Sequence, residues 1–193
     1  QSSALFFALH SNGQAPVINA VTPVSTQVEQ FGKFEAALSL TANFLNPYDY
    51  DDIWVSAVFT APDGQSRTVD GFFMQNHQLN IQTGNLTPVG DGVFKIRFSP
   101  DKTGTWKYTL SCANASGTGT FAEQTFQCNA TNSLNNKGFV RANQTNYLHF
   151  DNGDQYIPVG ENVGWQNGNP YLDFKNWLTK LGNNGGNFFR MWQ

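Results

Sequence analysis

Between about residues 16 and 130, apolar positions recur with period two, and the runs break at turns roughly every 8 to 15 residues. Alternation of this kind marks strands with one face on a core and one in water. Residues 34–40 alternate, and residues 53–59 alternate more strongly before reaching Pro62-Asp63-Gly64, where proline presets the turn and glycine accepts positive φ. Further runs at 66–73, 92–98, 104–110 and 121–128 bring the expectation to about seven or eight short strands without a helix, a β-sandwich or barrel. Trp54 and Trp106 sit in strongly alternating runs and are expected in the core rather than on a binding face.

The pattern changes after the polar, glycine-ended stretch 131–138, which reads as a linker. Residues 147–159 form a hairpin pattern around Asp151-Asn152-Gly153-Asp154. Asn169-Pro170 then supplies an N-cap and a proline at the first helical position. Tyr171, Phe174, Leu178 and Leu181 recur at helical spacing up to Gly182, and Trp177 widens the stripe. Gly185-Gly186 leads into Asn187-Phe188-Phe189-Arg190-Met191-Trp192, nearly apolar throughout, as a strand buried on both faces should be. Strand, helix and strand with no third element read as the opening of an α/β domain, because a lone unit of this kind cannot cover its sheet. The expected division is therefore 1–131, one whole β domain, and 132–193, the incomplete start of another, ending at Gln193. Leu172, Phe174, Trp177, Leu178, Phe188, Phe189 and Trp192 are then expected to pack back on the first domain, meet another copy or the rest of a longer chain, or be poorly fixed.

Composition narrows the function classes. Only 13% of the 193 residues are charged, the net charge is −3, and the basic residues are scattered, which excludes the clustered phosphate-neutralising patch of a nucleic-acid binder. No run reaches the roughly 18 apolar residues of a membrane helix, and residues 5–9 lack the basic flank of a signal sequence. Cys112 and Cys128 lie on consecutive strand-like segments joined by a glycine-rich turn, so a disulfide between them is expected over two buried free thiols. A bridge would imply an exported protein.

Candidate chemistry is sparse. His10, His77 and His149 have no ligand partners at metal spacing, and no nucleophile elbow or phosphate-cradling loop occurs, so neither a metal nor a cofactor is expected. Asp49, Asp51 and Asp52 lack the glycine and distal glutamate of a calcium loop and read as a solvated turn. Gly160-Glu161-Asn162-Val163-Gly164-Trp165 is more pointed, because it sets a carboxylate, an amide and an indole just past a strand end. Arg190 and Trp192 lie near the end of the next strand. Carboxylate and guanidinium groups suit sugar hydroxyls, and the apolar face of a pyranose stacks on an aromatic ring. The plainer alternative is a structural Glu161–Arg190 ion pair with core tryptophans.

Gly32-Lys33-Phe34-Glu35, Asn46-Pro47-Tyr48-Asp49, Val58-Phe59-Thr60-Ala61-Pro62-Asp63-Gly64, Gly71-Phe72-Phe73 and Gly104-Thr105-Trp106-Lys107-Tyr108 together resemble the immunoglobulin-like N-terminal domain of many bacterial glycoside hydrolases. Residues 147–160, followed by Gly185-Gly186-Asn187-Phe188-Phe189-Arg190-Met191-Trp192, are similar to the opening of the cellulase-like TIM barrel that follows that domain. The resemblance implies a mainly β chain, an Ig-like β-sandwich followed by a truncated start of a (β/α)8 barrel. It also implies a parent that is a retaining glycosidase, secreted, periplasmic or at the cell surface, with a polysaccharide or oligosaccharide as partner. Its two catalytic carboxylates would stand about 5–5.5 Å apart at the ends of the fourth and seventh barrel strands, beyond this chain. No catalytic residue is therefore expected within 1–193, and the chain alone should be inactive. Arg190 maps onto an arginine that orients the nucleophile, and Glu161, Asn162, Trp165, Arg190 and Trp192 become expected substrate-binding residues. The competing expectations are a carbohydrate-binding module and a purely structural spacer.

Overall fold

The computed structural model describes residues 13–134, 136–142 and 146–192; His10 and Gln193 lie outside them. The described residues are mainly β and divide into two compact units, 13–74 with 92–136, and 75–91 with 137–192. No described helix is long and apolar enough to cross a membrane.

The first unit is built on β1 (Val17–Pro23), β2 (Gln27–Glu29), β3 (Phe34–Thr41), β4 (Trp54–Thr60), β5 (Ser66–Asp70), β6 (Phe72–Leu79), β7 (Leu86–Phe98), β8 (Gly104–Asn114) and β9 (Gly117–Asn129), except that residues 75–79 of β6 and 86–91 of β7 belong to the second. They form a four-stranded sheet in the order β1-β3-β7-β6 and a five-stranded sheet in the order β2-β9-β8-β4-β5. Alternation makes the two sheets share one core. Phe34, Ala36 and Leu38 from β3 and Phe94, Ile96 and Phe98 from β7 meet Val55, Ala57 and Phe59 from β4 and Trp106, Tyr108 and Leu110 from β8. Aromatic rings join the sheets directly, with Phe34 4.2 Å from Phe126 and Phe59 4.2 Å from Phe98, centroid to centroid. Trp106 is fully buried, and its Nε1–H donates to the Lys102 carbonyl at 2.8 Å, which satisfies the indole's one polar atom.

Three expectations change. The run at 66–73 is two strands in different sheets, with the break at Gly71, where a Cβ would lie 2.8 Å from a Val55 methyl. Trp54 is not core; it stands 39% exposed on the outer face of the five-stranded sheet, with Nε1–H donating to Asp70 at 3.0 Å. The third correction concerns the cysteines. Both are free and buried, because the β8–β9 register sets Cys112 opposite Gly119 and Cys128 opposite Gly104. Eight residues of strand separate the two positions by roughly 25 Å, far beyond bridging range. Burial raises the Cys112 thiol pKa, and burial followed by the Asp101 charge pushes Cys128 up to about 11. A thiol-reactive dye is therefore expected to label neither cysteine in the folded protein and both in guanidinium without reductant. Labelling in guanidinium only after reduction would restore the disulfide.

Glu35 is the other unusual group of this unit. On β3 it points away from the core, yet it is only 6% exposed. Lys95 reaches its carboxylate at 2.9 Å, Lys33 at 3.4 Å, and Arg97 closes on it directly. Arg97 in turn lies over the Phe72 ring, 4.7 Å from its centroid.

In the second unit, β10 (Val140–Ala142), β11 (Leu148–Phe150) and β12 (Gln155–Tyr156) form a small antiparallel sheet, with Gly153 at φ 92° in the β11–β12 turn. A parallel pair follows, β13 (Gly160–Val163) and β14 (Phe188–Met191), connected through α1 (Pro170–Asn183). The Asn169 side chain caps α1 by accepting from Leu172 N–H at 3.1 Å, with Pro170 at the first helical position. No residue of α1 is fully buried, and Phe188, Phe189, Met191 and Trp192 are 43–48% exposed. The apolar strand read from the sequence is present, but neither of its faces is covered.

Candidate functional site

Asn187 sets the start of β14. Its Oδ1 accepts from Val159 N–H at 2.8 Å, its Nδ2 donates to the Ile157 carbonyl at 3.0 Å, and the Tyr156 hydroxyl donates to its carbonyl at 3.1 Å. Gly160 is required by the close approach of the two strands, since a Cβ there would fall 1.7 Å from the Phe188 carbonyl oxygen.

The register then decides which candidate residues can act together. Glu161 and Asn162 lie within β13 rather than past its end, paired with Phe189 and Arg190 respectively. Paired residues of a parallel ladder share a face, and neighbours along a strand take opposite faces. Asn162 and Arg190 are therefore together, while Glu161 belongs to the face of Phe189 and Val163. A cleft of about 350 Å³ between β13 and α1 is lined by Glu161, Trp177, Lys180 and Leu181, among others. Glu161 thus lines the cleft beside the helix, and the Glu161–Arg190 ion pair weighed as an alternative is not among the ion pairs of the described residues.

Past the strand ends the aromatic groups converge. The Trp165 and Trp192 rings are 5.7 Å apart, and the Arg190 guanidinium lies 5.5 Å from the Trp192 centroid. Trp165 is 81% exposed and has φ 51°. A left-handed conformation in a bulky residue costs on the order of 1–3 kcal/mol, so the chain displays this indole to water against both burial and backbone preference. Gly164 makes room for Trp192, since a Cβ there would come 2.8 Å from Trp192 Cβ. Of the nearby carboxylates among the described residues, Glu161 lines the cleft beside α1, and Asp173 accepts from Asn167 N–H at 2.9 Å. No cluster of three metal-ligating side chains exists among the described residues.

One contributor was not legible in the sequence. The tip of the β6–β7 hairpin, within residues 75–91, belongs to this unit, and the Thr83 carbonyl accepts from Asn169 Nδ2 at 2.8 Å. Thr83-Gly84-Asn85 could have been read as a turn; nothing local ties it to Asn169.

Comparison with known proteins adds two findings. Residues 27–113 match the model of a domain of unknown function, DUF5060. The chain also shares its fold with a crystal structure bearing the name "putative glycoside hydrolase" from Bacteroides vulgatus, at a TM-score of 0.59 and 23% identity over 86% of this chain. The match spans 28% of that longer protein. No curated protein matches the chain.

Proposed function

We propose that this chain is the N-terminal part of a secreted, periplasmic or surface glycoside hydrolase acting on a polysaccharide. In this reading the first unit is an Ig-like supporting domain and β13-α1-β14 is the first βαβ of a (β/α)8 barrel. The observation that carries the reading is the Trp165–Trp192–Arg190 group at the C-terminal ends of two parallel strands, the end at which such barrels hold their sites. Indole faces stack on pyranose rings, and the Arg190 and Asn162 side chains, on one sheet face, suit hydroxyl groups. The fold shared with a protein named as a glycoside hydrolase supports the same class. Glu161, which lines the cleft beside α1, is a wall of that cleft in this reading rather than a sugar ligand.

For the first unit a structural role is favoured over a carbohydrate-binding module. The outer face of its five-stranded sheet presents Trp54 beside Val58, Thr109 and Ser111, which is one aromatic side chain rather than a row.

The test is titration with the β-1,4-linked hexasaccharides of glucose, xylose, mannose and galactose, followed by tryptophan fluorescence and indole NMR shifts. At least one is expected to bind, to lose about tenfold in affinity in Trp165→Ala, and to be recovered uncleaved. Cleavage by residues 1–193, or the absence of any indole shift, would overturn the reading.

A further inference from the structure

We propose that the tip of the β6–β7 hairpin is a second sugar-contacting element beside the indole pair, reading units of a carbohydrate chain beyond the one stacked on Trp165 and Trp192. The inference rests on the carbohydrate reading of that mouth and extends it to residues that no strand or helix of the second unit supplies.

The tip is built as a fixed shape. Asn80 Oδ1 accepts from the N–H groups of Gln82 and Thr83 at 3.0 and 3.1 Å, Gly84 N–H donates to the Asn80 carbonyl at 2.7 Å, and Asn80 N–H donates to the Asn85 carbonyl at 2.9 Å. Below the tip, the Gln75 amide nitrogen crosses the hairpin to the Gly90 carbonyl at 2.9 Å. The tip is also fixed in place. Asn169 uses its oxygen to cap α1 and its nitrogen to hold the Thr83 carbonyl, so one side chain joins helix and hairpin. Contact is tight enough that a Cβ on Gly84, at φ 73°, would fall 1.9 Å from Asn169 Nδ2.

Asn169 ends the loop that carries Trp165. Four residues of chain span at most about 14 Å, so the hairpin is anchored within a few sugar units of the exposed indole. What the tip shows to solvent fits such a neighbour: Ile81 is 72% exposed and Gln82 is exposed beside it, one apolar surface and one amide with both donors and an acceptor.

The experiment compares the disaccharide and hexasaccharide of each of the four β-1,4-linked series above, using backbone amide and indole shifts of residues 1–193. A hexasaccharide that moves the Trp165 and Trp192 indoles is expected also to move the amides of Ile81, Gln82 and Thr83, whereas its disaccharide moves the indoles alone. Ile81→Ser with Gln82→Ala, exposed changes that leave the thermal midpoint unaltered, should weaken hexasaccharide binding about fivefold and leave disaccharide binding unchanged. Gly84→Val, which displaces the tip from Asn169, should do the same. Hexasaccharide binding that shifts only the indoles and ignores these variants would overturn the inference while leaving the proposed function standing. No indole shift with any of the eight sugars would overturn both.

Discussion

Alanine in place of Phe34 is expected to lower the unfolding free energy by about 4 kcal/mol. Phe34 is fully buried and is one of the rings through which the two sheets of the first unit meet: it stacks on Phe126 at 4.2 Å and makes edge contacts with Tyr108 at 5.2 Å and Phe59 at 5.9 Å. Removing it takes away the transfer free energy of a phenyl group and leaves a void between rings that belong to different strands and cannot close together without moving both sheets. Phe34→Leu, which keeps most of the volume, should cost no more than about 1.5 kcal/mol. Ordinary domains hold only about 5–15 kcal/mol in all, so the alanine variant should be close to unfolding at physiological temperature. Urea unfolding followed by far-ultraviolet circular dichroism measures both. A Phe34→Ala variant within 1 kcal/mol of the parent would mean that the sheets are not joined through this ring.

The second large effect is a pH dependence carried by Glu35. Hydrogen bonds from Arg97 first, then Lys95, together with their charges, hold its pKa down to about 2 from the usual 4.5, against the opposing cost of burial. A depressed carboxylate pKa means that the unfolded chain binds the proton more readily than the folded one. The stabilisation is therefore fully present above about pH 4.5 and is lost as the pH falls toward 2. Its size at neutral pH is about 3 kcal/mol. Glu35→Gln should accordingly be less stable than the parent by about that amount at pH 7, with Lys95 and Arg97 left facing each other. The two proteins should converge near pH 2, which urea midpoints measured from pH 2 to 7 would show. Asp63, Asp151 and Asp154 also have depressed pKa values, each from an ion-pair partner and hydrogen bonds, but these are common to both proteins and cancel in the difference. A constant gap between parent and variant across this range would remove Glu35 as the source.

Much of the β unit is legible because its strands are locally periodic. Residues 34–40 and 53–59 announce β3 and β4 within one residue at most ends, since each must put Phe34, Ala36 and Leu38, or Val55, Ala57 and Phe59, on a single buried face. The helix is equally visible, as capping by Asn169 and the proline at the next position act within one turn. The long hairpin is not. Residues 75–91 are largely polar and mostly exposed on both faces, so no alternation marks them as the ends of β6 and β7.

The candidate site divides in the same way. Trp165, Trp192 and Arg190 are picked out by residue type and by their positions after two strand-like runs, and they do converge. Glu161 is picked out by the same argument and falls on the other face, because extending β13 as far as Val163 places Glu161 inside an alternating strand. A slip of one position in the register between strands reverses which side a residue faces. The strand, its helix and the aromatic residues of the candidate site were therefore set by the order of residues alone, through interactions spanning a few positions. Which cysteines can meet, which face Glu161 takes and which helix the hairpin tip reaches were decided only by tertiary structure. Each depends on the register between segments distant in the chain, and local sequence does not encode that register.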